Sequence, residues 1–131
     1  MPKLGEKRAV TENTVINMDK QGIVHLSFQE GSYINLNESK KILSSRKKWL
    51  SHPSEKQLLL VDFTNNPVPS QQSKDHARSD DVEKLTKAMA CIVKGKISQI
   101  VGSFFIQMKE VHYPTKLFRN KKEAIGWLLS Q

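Results

Sequence analysis

The sequence predicts a single α/β domain, a mixed sheet with helices packed against it, from three local patterns. Ile23-Val24-His25-Leu26-Ser27-Phe28 alternates in polarity as a half-buried strand does. Gln57-Leu58-Leu59-Leu60-Val61-Asp62-Phe63 is an apolar run of strand length, the mark of a central strand covered on both faces. Ile97, Ile100, Val101, Phe104, Phe105 and Met108 recur at helical spacing.

The remaining elements follow in order. Residues 1–13 are polar and aperiodic and read as a loose tail, leaving 14–131 as the domain. Thr14–Met18 and Ile23–Phe28 flank Asp19-Lys20-Gln21-Gly22, a four-residue link that makes them a hairpin. Asn37 is the expected cap of a helix from Glu38 to Leu50. Its apolar side carries Ile42, Leu43, Trp49 and Leu50, and its basic side carries Lys40, Lys41, Lys47 and Lys48. Arg46 interrupts the apolar stripe. It is expected to run its aliphatic stem over the surface and leave the guanidinium in water, the alternative being an acidic partner. Beyond the central run, residues 64–73 are the longest turn-rich stretch. A helix over about 73–87, a strand over 88–93, the 97–108 helix and a short strand at 116–118 follow. Asn120 caps the last helix, with Ala124, Ile125, Leu128 and Leu129 expected to face inward.

Composition narrows the function. Hydrophobic and charged residues make up 37% and 26% of the 131, ordinary proportions for a globular chain. The lone Cys91 excludes an internal disulfide and lies in an apolar strand, which suits a reducing, cytoplasmic setting. The basic start has no apolar stretch behind it, so no secretory signal is read there. No run approaches the roughly 20 apolar residues of a membrane span. The net charge of +8 favours acidic partners, yet the basic residues are dispersed, and neither zinc-finger spacing nor an aromatic RNA-binding signature accompanies them.

No catalytic constellation is legible. His25, His52, His76 and His112 are scattered without paired metal-ligand spacing, and His76, with Asp75, Asp80 and Asp81 nearby, reads as part of a solvated helix face. No nucleophile elbow, P-loop or dinucleotide fingerprint is present. The expectation is a non-enzymatic chain with no cofactor and no metal.

Gly102-Ser103-Phe104-Phe105, Pro114-Thr115-Lys116-Leu117-Phe118 and Glu123-Ala124-Ile125-Gly126-Trp127-Leu128 resemble a run in small, uncharacterised bacterial proteins. Those proteins have a SpoIIAA-like fold, that of STAS and anti-anti-sigma domains. The order of elements agrees over about 14–130. The resemblance implies a SpoIIAA-like (STAS-like) single domain. It also implies a regulatory loop after the central strand, where Val61-Asp62-Phe63-Thr64 resembles the strand end and Val68-Pro69-Ser70 stands near the family's phosphorylatable serine. Pro69 replaces an aspartate there, and Gln71-Gln72 replace a small, Gly-containing turn.

Three functions are therefore carried forward. The first is a binding or regulatory module whose partner, another protein, docks on Asp62, Thr64, Asn65, Asn66, Ser70 and Ser73, at the end of a central strand where ligands collect. In it Ser70 or Ser73 is a phosphate acceptor or simply a helix cap. The second is a carrier of a small apolar molecule or lipid, its pocket lined by Ile100, Val101, Phe104, Phe105 and Met108, residues that equally fill a core. The third, less favoured, is nucleic-acid binding through Lys40, Lys41, Lys47 and Lys48.

Overall fold

The computed structural model describes residues 7–108 and 111–131. Its first strands, β1 (Lys7–Val10), β2 (Thr14–Met18) and β3 (Ile23–Phe28), form an antiparallel meander. The expected tail is thus shorter than its polarity suggests. Lys7–Val10 pair with β2 from Lys7↔Met18 to Val10↔Val15, and of the four only Ala9 packs on the core. So little buried surface leaves no alternation to read. Residues 1–6 lie outside the described residues.

The β2–β3 hairpin closes as expected. Asp19 Oδ1 accepts from the Gln21 and Ile23 backbone N–H groups at 2.8 and 3.0 Å, and Gly22 takes the left-handed φ of 82°. Next come β4 (Tyr33–Ile34) and α1 (Leu36–Lys48). Asn35, not Asn37, caps α1: its Oδ1 accepts from Glu38 N at 2.9 Å, and the helix ends at Lys48 rather than Leu50. Both asparagines are competent caps by type; Ile34, held in β4, keeps Asn35 at the last extended position.

β5 (Gln57–Asp62) runs through the middle of the main sheet, parallel to β3 on one side and to β7 (Thr86–Ile92) on the other. Between them come β6 (Val68–Pro69), α2 (Gln71–Ala77) and α3 (Asp80–Glu83). The single helix expected over 73–87 is therefore two short ones. Ser79 breaks it with an extended backbone and a side chain that donates back to His76 O at 2.6 Å. β7 then starts two residues before the expected Ala88. α4 (Gln99–Met108), β8 (Thr115–Phe118) and α5 (Lys121–Leu129) complete the chain. Asn120 Oδ1 accepts from Glu123 N at 3.1 Å, the expected cap.

The sheet order is β1-β2-β3-β5-β7-β8, with β4 and β6 making a separate two-stranded parallel bridge. Alternation along β5 explains the two-sided core. Leu59 and Val61 join Val24, Leu26, Phe28 and Met89 beneath α1 and α4, while Leu60 joins Ile23, Ala88 and Ala90 beneath α5. Ala88, Ala90 and Ala124 have no exposed surface, so small side chains meet where α5 lies on the sheet. Leu128 is fully buried there, whereas Leu129, expected inside, is 46% exposed. The buried stripe of α5 is too narrow to reach it.

Candidate functional site

A cavity of about 110 Å³, open in part to the surface, lies between the sheet and the helices on the α1 side. Its floor is one face of the sheet: Leu26 and Phe28 from β3, Leu59 and Val61 from β5, and Met89 from β7. Its walls come from two helical stripes, Ser39, Ile42, Leu43 and Arg46 on α1, and Ser73, His76 and Ala77 on α2. Those positions fall three or four apart, the spacing that turns one helix face to a common neighbour. Pro67 and Pro69 cover the end nearest the β5 terminus. The β4–β6 bridge ties this cover to the start of α1. Phe63 stands between Phe28 and Phe104, with ring centroids 6.2 and 5.4 Å away.

The lining is almost wholly apolar, and its polar members are few. Ser39 Oγ and Ser73 Oγ share a hydrogen bond at 2.5 Å between α1 and α2. Tyr113 Oη donates to Ala77 O at 3.2 Å, and burial raises its phenol pKa. His76 is half-buried; desolvation lowers its pKa, Asp81 opposes this, and Lys40 and Lys47 add to it.

Arg46 is the exception in kind. It is 2% exposed, so the expected run of its guanidinium to water does not occur, and no carboxylate among the described residues pairs with it either. Nε donates to Gln57 Oε1 at 3.1 Å, and Nη2 donates to Thr86 Oγ1 at 2.9 Å and Leu85 O at 3.4 Å. All three acceptors are neutral. Burial lowers its pKa from 12.5 to about 10, leaving it charged at neutral pH.

The anticipated loop residues are spent largely on building the loop. Asp62 Oδ1 accepts from Thr64 N at 2.8 Å, Asn65 Nδ2 donates to Phe28 O at 2.9 Å, and Asn66 turns the chain at φ 51°. Ser70 caps α2 by accepting from Ser73 N at 3.0 Å, and Ser73 is only 7% exposed. The anticipated pocket set is dispersed as well. Only Phe104 lines the cavity. Val101 and Met108 fill the core, Ile100 is 41% exposed, and Phe105 borders a separate depression near His112 and Pro114. Lys40, Lys41, Lys47 and Lys48 are exposed along α1. Cys91 is buried in the core, its thiol pushed up to about 12. No cluster of three or more potential metal ligands occurs among the described residues, and no described helix is long and apolar enough to cross a membrane.

Sequence reasoning singled out Arg46 and His76 but assigned both to solvent, and it passed over Ser39. The charge inside the α1 stripe was the one available signal.

A family model for a domain of unknown function, DUF7793, matches residues 16–131. The chain belongs to the DUF7793 family. Among curated proteins none matches it. The DUF7793 fold is similar to the crystal structure of an uncharacterized DUF3478-family protein with a SpoIIAA-like fold from Shewanella loihica PV-4. The TM-score is 0.58 at 12% identity, over 94% of this chain and 91% of that one. At that identity the likeness speaks for the fold alone, and it bears out the expected SpoIIAA-like architecture.

Proposed function

We propose that this DUF7793 chain is a non-catalytic binding domain that holds a small apolar molecule in the cavity beneath residues 64–77. One observation carries the reading: the segment after the central strand covers a cavity instead of lying flat on the core. The cavity has about 110 Å³ of space and an almost entirely apolar lining. Tightly packed interiors leave few voids of this size, and an apolar cavity of about 150 Å³ elsewhere stays dry and takes up benzene. A regulatory role for the same segment has less support. A phosphate on Ser73 would have to displace Ser39 from a buried contact, and Ser70 already caps a helix of only seven residues.

Toluene tests this. In a ¹⁵N NMR titration, toluene is expected to shift amides around Val61, Met89 and Phe104. Ala77→Leu, which extends a cavity-lining side chain into the space, is expected to abolish those shifts while leaving the fold equally stable or stabilising it by about 1 kcal/mol. Absent shifts in the parent, or shifts that survive in the variant, would remove the proposal.

A further inference from the structure

The cavity contains a positive charge that no described residue neutralises. Arg46 lines the space, and no carboxylate among the described residues pairs with it. Its Nη1 makes no hydrogen bond, while Nε and Nη2 are occupied. A buried ion without a counter-ion is costly, and buried charges are ordinarily paired or ligated. The three neutral acceptors satisfy part of the guanidinium's hydrogen bonding and none of its charge.

The groups around the opening add to the same field. His76 lies on the α2 wall, and Lys40 and Lys47, two turns apart on α1, are close enough to act on it electrostatically. Two acidic groups are felt by the lining, each beside a basic group of its own: Asp81 acts on His76 and is 3.5 Å from Lys84 Nζ, and Glu83 acts on Tyr113 and pairs with His112. Buried Glu38 is at the opposite end of α1 from Arg46 and does not line the cavity. An apolar cavity with one unneutralised guanidinium and a cationic rim matches a molecule that is apolar along its body and anionic at one end.

We propose that the ligand is a small organic carboxylate, its hydrocarbon part against Phe63 and Phe104 and its carboxylate on Arg46. One free nitrogen suits a singly charged head. The volume suits about one ring or a short acyl chain. This assignment rests on the cavity being a binding site, as proposed above, and names what the site selects.

Benzoate and benzyl alcohol, of nearly equal shape, separate the two claims. In calorimetric titrations of the full chain at low salt, benzoate is expected to bind about tenfold more tightly than benzyl alcohol, since a charge-assisted hydrogen bond is worth more than a neutral one. In Arg46→Met the preference should disappear while benzyl alcohol still binds. Equal affinities in the parent would overturn the carboxylate assignment and leave the apolar site standing. Neither compound binding, with toluene also silent, would overturn both. The comparison of two compounds on the parent chain decides the matter even if Arg46→Met does not fold.

Discussion

Arg46→Met combined with Gln57→Leu is expected to stabilise the fold by about 2 kcal/mol. Moving the Arg46 pKa from 12.5 to about 10 corresponds to a cost on the order of 3 kcal/mol for keeping the charge buried. Methionine approximates the volume and removes that cost. Leucine at 57 removes the amide whose Oε1 would otherwise lose its donor. Thr86 Oγ1 keeps its bond to Val82 O, and Leu85 O keeps the Gln57 backbone N–H, so little is orphaned. Buried charged groups replaced by well-packed apolar ones behave this way elsewhere. The gain also has a defined pH dependence. Below pH 10 the arginine is charged both folded and unfolded, and the full cost applies. Above pH 10 the folded chain sheds the proton first, so parental stability rises relative to the variant and the difference narrows. Urea titrations at pH 7 and pH 10.5 would measure both effects. A loss exceeding about 1 kcal/mol at pH 7 would mean that Arg46 is retained as a clamp between α1 and the starts of β5 and β7, not as a binding group.

Leu128→Ala is expected to cost about 3 kcal/mol, because the side chain is fully buried in the smaller core between α5 and the sheet. Its neighbour Leu129, 46% exposed, should cost less than about 0.5 kcal/mol when truncated. The contrast tests the register of α5. Because this core lies on the other side of the sheet from the cavity, a folded Leu128→Ala protein should still take up toluene. Similar losses from both leucines in urea unfolding would contradict the placement of α5.

The fold was legible wherever one element carried its own signal. The run from Leu58 to Phe63 is apolar at every position but Asp62, and at strand length such a run suits a strand covered on both faces, as β5 is. The Asp19–Gly22 turn and the Asn120 cap are local chemistry and were readable for that reason. β1 was not, since three of its four residues are exposed. The break at Ser79 was visible only as the start signal Ser-Asp-Asp inside what looked like one helix. The cavity was hidden for a different reason: its walls meet across the fold. Ser39 and Ser73 are 34 residues apart, and Arg46 and Thr86 are 40 apart. Helical spacing in 97–108 identified an apolar face but could not say whether that face borders space or fills it. Val101 and Met108 fill the core, Phe104 borders the cavity, and Ile97 and Ile100 are each 41% exposed.

Xenon under pressure in crystals of the apo protein tests the central claim most directly, because it reports accessible apolar space without reference to charge or hydrogen bonding. A single ordered xenon between Phe63, Met89 and Phe104 is expected, lost in Ala77→Leu. Crystals with no xenon in that space would show that the helices close onto the sheet, leaving no place for a ligand.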